Sequence, residues 1–323
     1  MNAVLESLPV VVLYPHSRCN CRCVMCDIWK QTERQEIAVP QLERWLDDFE
    51  RLRVRWVVLS GGEPLMHTGW WRLCELLRGR GIRTTILSTG LLFERNAARI
   101  AECVDDAIVS LDGPPAVHDR IRGVPGAFGQ MARGVDAILA ARAGFPLAAR
   151  STVHRDNFRH LRETARTAHR IGLRGISFLA ADLTSEAFNR PGGWSAARQS
   201  EIALAEADLP ALEAELEALA AEWSGSGFLA DTPGKLRRIA RHFRAHLGLA
   251  RAEAPRCNAP WISAVIESDG AVRPCFFHQP FGNAVTDGLL AVLNGPAARA
   301  FREGLDIASN PTCRRCVCSL NYG

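Results

Sequence analysis

The 323-residue sequence predicts an α/β fold: six strand–helix units forming an open, partial (β/α)6 barrel, followed by a small cysteine-bearing C-terminal domain. Three observations carry this expectation. Short β-branched apolar runs recur along the first 180 residues, and the stretches between them have helical periodicity. The cysteines then gather at two places, four at 19–26 and five from 257 onward.

The apolar runs are PVVVLY (9–14), RWVVLS (55–60), RTTILS (83–88), DAIVSL (106–111), LAARSTV (147–153) and GISFLA (175–180). They are short, apolar and largely β-branched, as buried strands are. QLERWLDDFERL (41–52), FGQMARGVDAILAAR (128–142) and NFRHLRETARTAHR (157–170) carry the periodicity that loads one face of a helix. Asn157 is placed to cap the last of them. Strands joined by helical crossovers run parallel. Six units are too few to close an eight-unit barrel, so the barrel is open. Chemistry in such folds collects at the carboxyl ends of the strands. There the sequence has SRCNCRC after strand one, GGEP after strand two and DGPP after strand four.

This barrel is assigned residues 1–185. Residues 186–250 include an Ala-, Glu- and Arg-rich stretch interrupted by Pro210 and WSGSGF (223–228), and read as a helical bridge or lid without a chemical motif. Residues 251–323 form the cysteine domain, where ISAVIESDGAVRPCFF reads as a hairpin turned at Asp269-Gly270.

Composition excludes several classes. Hydrophobic and charged fractions of 47% and 23% are those of a soluble globular chain. A net charge of +4, with both signs interspersed, gives no electrostatic footprint for nucleic acid. No apolar run approaches the ~20 residues of a membrane span, and the opening MNAVLESLPVVVLY lacks the basic region and cleavage site of a signal peptide. The expectation is a cytoplasmic protein with no nucleic-acid or membrane partner. Thiols stay reduced there, so eleven cysteines call for metal or cluster ligation. Cys74 and Cys103, alone between the two groups, lie in apolar helical contexts and read as small buried side chains.

Cys19, Cys23 and Cys26 have the spacing C-x3-C-x2-C. Three thiolates on one tight loop suit three irons of a cubane and leave the fourth iron open, as a catalytic site requires. A zinc site would want a second matched pair, which this loop lacks. Cys21 is the odd member, a bystander between ligands. The motif, continued by CDIW (26–29), resembles the radical S-adenosylmethionine (SAM) superfamily with its TIM-like partial barrel. The resemblance implies that SAM binds the open iron of a [4Fe–4S] cluster and is cleaved by one electron to a 5′-deoxyadenosyl radical. GGEP then corresponds to the family's motif for the SAM ammonium. Gly61 and Gly62 let backbone carbonyls approach, Glu63 supplies charge, and Pro64 completes the motif. SLDGPPAVHDRIRG (110–123) resembles the strand-four segment of relatives with extra clusters, which implies Ser110 near SAM. Asp112 and Arg122 either shape that loop or contact the ligand, or are an ordinary capping aspartate and a surface arginine. LSTG (87–90) parallels the family's TNG without its asparagine.

Cys257, twelve residues, Gly270, four residues and Cys275 match the opening of the SPASM/twitch accessory domain, and CRRCVC follows at 313–318. The positions that complete a SPASM domain are not in the sequence, so the resemblance is to the shorter twitch form with one auxiliary [4Fe–4S] cluster. It implies Cys257, Cys275, Cys313 and Cys316 as ligands, with Cys318 the alternative; a zinc ribbon is the structural counterpart from the same thiols.

The resemblance thus implies SAM, two [4Fe–4S] clusters and an electron donor such as flavodoxin or ferredoxin. The first strand starts near residue 9, leaving no room for a peptide-recognition domain, so the expected substrate is a small hydroxylated or amino-bearing metabolite, oxidised or epimerised. The alternative is modification of a ribosomally made peptide by a C–S or C–C link; a non-catalytic iron–sulfur or zinc protein is more distant. Tyr14, His16, Arg150, Thr152, His154 and Asp182, at strand ends, are the candidates for substrate contact, and His16 or His154 for a base. Arg150, Thr152 and His154 alternate along one face.

Overall fold

The six apolar runs become parallel strands. In the computed structural model, which describes residues 3–322, these are β1 (Val10–Leu13), β2 (Trp56–Leu59), β3 (Arg83–Ser88), β4 (Asp106–Ser110), β5 (Leu147–Val153) and β6 (Ile176–Ala180). Each lies beside its predecessor, and the sheet stays open rather than closing, as expected. Helices α1 (Val39–Arg51), α2 (Trp70–Gly79), α3 (Phe93–Cys103), α4 (Pro115–Arg122), α5 (Ala127–Ala141) and α6 (Leu161–Arg170) fall between the strands. α1 shows why they pack: Leu42, Trp45, Leu46 and Phe49 fall three and four apart and are all buried. Cys74 and Cys103 are buried core side chains.

One helix start differs from expectation. The helix drawn from residue 157 begins at Leu161, with His160 at the cap position. Asn157 is better satisfied elsewhere. Its amide donates to the carbonyls of Asp112 and Thr152 at 3.0 Å, and its oxygen accepts from the His154 backbone at 2.9 Å. It therefore ties the ends of β4 and β5 together instead of capping α6.

The C-terminal hairpin forms as expected from β7 (Ser263–Ile266) and β8 (Ala271–Arg273), and Gly270 takes the positive φ of 89° that its turn needs. Its placement is not legible in sequence. β7 pairs in parallel with the free edge of β1, Val10 opposite Ser263 and Leu13 opposite Ile266, so the cysteine domain continues the barrel sheet. With β9 (Gly282–Asn283) the sheet of the described residues has nine strands. β1 thus becomes central, and the ends of β1, β2 and β7 lie side by side.

Residues 196–246 fold as α7 (Ala196–Ile202), α8 (Leu209–Glu222) and α9 (Pro233–His246). Leu229 bridges to Ile176 and extends the sheet beyond β6. Among the described residues no helix is long and apolar enough to cross a membrane.

Candidate active site

The cysteine loop is braced on three sides. Arg18 accepts from the Glu63 backbone at 2.9 Å, and a Cβ on Gly62 would overlap the Arg18 carbonyl. On a second side, Arg22 and Val24 donate to the Arg122 and Ile121 carbonyls at 2.8 and 3.0 Å, where α4 ends in Gly123 at φ +64°. On the third, Thr89 Oγ1 lies 3.0 Å from the Asn20 side-chain amide. Glycine at 62 thus has a packing reason in addition to any ligand: the GGEP loop lies directly on the cysteine loop. At Gly61 (φ +93°) a Cβ would overlap the Tyr14 ring.

Glu63 is fully buried. Its carboxylate accepts from Ser88 Oγ at 2.9 Å, Thr89 N at 2.7 Å, Thr89 Oγ1 at 2.8 Å and Leu65 N at 3.1 Å. Burial nevertheless holds its pKa above the ordinary value. The LSTG segment therefore serves Glu63, whose bonds to Ser88 and Thr89 hold the GGEP loop in place.

Arg122 is not a surface residue. It is 7% exposed, pairs with the fully buried Asp112 at 2.5 Å, and lies 3.4 Å from Cys23 Sγ as donor. Asp112 also accepts from Thr152 N at 2.8 Å. Cys23 is pulled below the usual thiol pKa by the Cys21 thiol, despite burial, with Arg122 adding its charge. Burial pushes Cys19 up, and Cys26 up to about 12. Buried thiols without a cation stay protonated; an iron core supplies the missing charge, so this donor set fits a cluster. Cys21 is 1% exposed and packs in the core, with its thiol turned to Cys23.

A polar cavity of about 360 Å3 opens beside this loop, with Tyr14, His16, Gly61, Gly62, Glu267 and Phe276 in its wall. The Tyr14 and Phe276 rings stack at 6.3 Å between centroids. Packing around the phenol, then Glu267, raise the Tyr14 pKa well above normal. His16 is buried, its Nδ1 held at the Arg18 backbone and its Nε2 3.5 Å from Glu36. Arg150, Thr152, His154 and Asp182 do not line this cavity. Arg150 bonds Ser177 at 3.3 Å and lies near Cys318, whose pKa is raised by burial, with the Arg150 charge partly offsetting it. His154 is fully buried, accepting from Asp156 N at 3.3 Å. Asp182 pairs with Arg190 at 2.8 Å inside the protein. Ser110 ends β4, half-buried opposite Arg150.

The C-terminal thiols converge. Cys257, Cys275, Cys313, Cys316 and Cys318 all line one mainly apolar cavity of about 60 Å3. Burial raises Cys275 to about 12 and Cys313 to about 11. Five thiols around one space fit an iron–sulfur group with a ligand to spare. Phe276 lines both this cavity and the polar one.

Sequence reasoning missed the segment 189–198. Arg190, 3% exposed, donates to the Met25 carbonyl at 2.7 Å and lies 3.6 Å over the Trp194 ring. Trp194 donates to Asp27 Oδ2 at 2.7 Å, Asn189 to Asp27 O at 3.0 Å, and Arg198 to Val24 O. These side chains clamp the outer face of the cysteine loop. The only sequence signal was an arginine and a tryptophan in a glycine- and proline-bearing turn.

A family model described as the radical SAM superfamily matches residues 13–168, and one for an iron–sulfur cluster-binding domain, SPASM, matches 257–317. The chain is 30% identical over 310 residues to the mycofactocin maturase MftC of Mycobacterium ulcerans, covering 91% of this chain and 77% of that protein. It is 31% identical over 159 residues to the AdoMet-dependent heme synthase of Oleidesulfovibrio alaskensis; that match covers 48% of this chain and only 40% of the heme synthase. Among solved structures, SuiB of Streptococcus suis bound to S-adenosylmethionine has a TM-score of 0.70 at 17% identity, over 98% of this chain and 74% of that one. That likeness is one of fold.

Proposed function

Because the chain belongs to the radical SAM superfamily and carries a C-terminal SPASM/twitch cluster domain, with SAM and two iron–sulfur clusters as its cofactors, we propose that it oxidises a small hydroxylated or amino-bearing metabolite. One observation carries the preference for oxidation over epimerisation. Phe276, adjoining Cys275, lines both the polar cavity and the cavity of five thiols, so a substrate there lies beside a second redox site.

When bound, the cofactors supply a one-electron cleavage of SAM and a carbon radical that removes a hydrogen atom. The chain's residues do the rest. Cys19, Cys23 and Cys26 are the proposed ligands of the SAM-binding cluster, and Cys257, Cys275, Cys313 and Cys316 those of the auxiliary one, Cys318 being the alternative. Gly61 and Gly62 bring backbone rather than side chain to the cavity wall, and Glu63, pinned by Ser88 and Thr89, fixes their position. Pro64 starts the short helical turn behind them. Arg122 and Asp112 act through Cys23 instead of touching a ligand. Glu267, its pKa raised by burial, lies in the cavity wall within reach of Arg273 at 3.1 Å and can hold the proton an alcohol or amine loses on oxidation. Tyr14 orients the substrate against Phe276.

Peptide modification is the second reading, favoured by the match to a maturase along 91% of the chain. One experiment separates them: anaerobic incubation of reconstituted protein with SAM, dithionite and deuterated candidate aminocyclitols or sugars. Deuterium in 5′-deoxyadenosine, with an oxidised product, supports the reading. Cleavage of SAM with no transfer from any such compound, and transfer from a peptide, would reverse the order.

A further inference from the structure

One concentration of charge plays no part in the site above. α9 and the segment 311–316 border a third cavity, of about 290 Å3, which shares Cys316 with the cavity of the C-terminal thiols. Arg238, Arg241, Arg314 and Arg315 line it with two histidines and one carboxylate, Glu253. Arg241 is paired with Glu253; Arg238, Arg314 and Arg315 make no ion pair among the described residues. Arg238 donates to the Cys316 carbonyl at 3.3 Å and Arg314 to the Ala252 carbonyl at 3.0 Å, which fixes both guanidiniums in the wall. Arg315 is exposed at the rim. Gathering like charges in a concave wall costs self-repulsion, and in return it focuses a positive field outward.

The position gives this field a meaning. Cys316 lines both the basic cavity and the cavity of five thiols, while Cys275 and Phe276 carry the thiol cavity towards the polar one. The thiols thus lie between the substrate side and a positively charged outer face. A metal group closed by four thiolates takes no ligand; what it exchanges with its surroundings is an electron. We propose that the face formed by Arg238, Arg241, Arg314 and Arg315 is the docking surface for an acidic one-electron carrier protein of the flavodoxin or ferredoxin class. The charges are spread over two elements and reach the rim, the footprint of a protein surface more than of one small anion. One electron passes between the carrier and the auxiliary iron–sulfur group, each changing by one in opposite senses, and no bond is made or broken. The inference rests on those thiols being the auxiliary ligands, as proposed above, but not on the identity of the substrate.

The test uses the reconstituted full chain, reduced anaerobically by flavodoxin hydroquinone in a stopped-flow instrument, with freeze-quench EPR to follow the auxiliary signal. Arg315→Glu and the double variant Arg315→Glu/Arg241→Glu are compared with the unaltered chain at low and high salt. The expected result is a fall of at least tenfold in the flavodoxin rate at low salt in the double variant, with loss of most of the salt dependence. Reduction by dithionite and iron content stay unchanged. An equal flavodoxin rate in the variants overturns the proposal. So does saturable binding of inorganic phosphate that the variants abolish while the flavodoxin rate stands, which would make the cavity a small-anion site. Half the expected iron with no auxiliary signal would overturn this inference and the ligand assignment together. Since no substrate is added, a wrong substrate class leaves the result unaffected.

Discussion

Replacing Arg122 by methionine tests how the barrel supports the cysteine loop. The substitution keeps an unbranched side chain of similar length and removes the charge. Asp112 is then left fully buried, with Thr152 N at 2.8 Å and Ser151 Oγ at 3.3 Å on Oδ1, and nothing but the lost guanidinium on Oδ2. Removing one member of a buried ion pair costs about 3–5 kcal/mol because the other charge stays behind. Urea unfolding of the iron-free protein, followed by circular dichroism, should register a loss of that size. Arg122→Met/Asp112→Asn removes the orphaned charge while keeping an acceptor for Thr152, and should regain at least half of it. In the loaded protein the loss of a cation beside Cys23 should shift the reduction potential of the SAM-binding cluster to a more negative value. A single-variant loss below about 1 kcal/mol, or a double variant less stable than the single, would refute the argument that Arg122 and Asp112 form one charge-compensated unit.

Three further outcomes follow from the same geometry. Gly62→Ala would drive a Cβ into the Arg18 carbonyl, a backbone atom that cannot rotate away, so equilibrium dialysis should show SAM binding at least tenfold weaker; unchanged affinity would mean that the two loops are not packed as described. His118 and His242, held near pKa 4 chiefly by burial, with Arg122 and His246 respectively adding to it, bind protons more readily unfolded than folded. Their stabilising effect is whole above pH 6.5 and is lost as pH falls towards 4, so between pH 7.5 and 5.5 the two together should lower unfolding free energy by about 3 kcal/mol, and His118→Gln/His242→Gln should flatten that slope. Cys21→Ala should keep its iron and SAM cleavage at a cost of about 1 kcal/mol for the small void, whereas Cys23→Ala should lose the iron of that site; loss of cleavage in Cys21→Ala alone would mean that the ligand register is wrong.

The sequence carried the barrel because its strands and helices announce themselves locally. β-branched runs and apolar residues three and four apart need no partner to be recognised, and they gave six strands within a residue or two of their observed ends. The cysteine spacings and GGEP were equally local. Arg122 was not. A C-terminal helix arginine followed by glycine has the sequence of a solvent-facing cap, and only long-range packing brings Asp112, at the end of β4, beneath it and Cys23, through the bonds of Arg22 and Val24 to the end of α4, beside it. Asn157 failed for the same reason: an Asn before a helix caps it unless two strand ends offer three better partners. The docking of β7 on β1 is a pairing between residues some 250 apart, which no short-range pattern encodes.

The segment 189–198 shows what that long-range information adds to function. Its side chains hold the backbone of Val24, Met25 and Asp27 from outside, while the flank that includes Phe188 and Asn189 forms part of the polar cavity wall. Phe188 and Asn189 both sit at positive φ, 63° and 62°, a conformation that costs a bulky residue of order 1 kcal/mol or more and persists only where contacts over-determine it. Those contacts are present: Asn189 to Asp27, and Arg190 to Asp182, Met25 and Trp194. Anything that enters the cavity and presses on Phe188 therefore presses, through two strained residues and one buried guanidinium, on the loop that carries Cys26. A wall built this way links occupancy of the cavity to the geometry of the cysteine loop, which an unconnected lid over the same opening would not do.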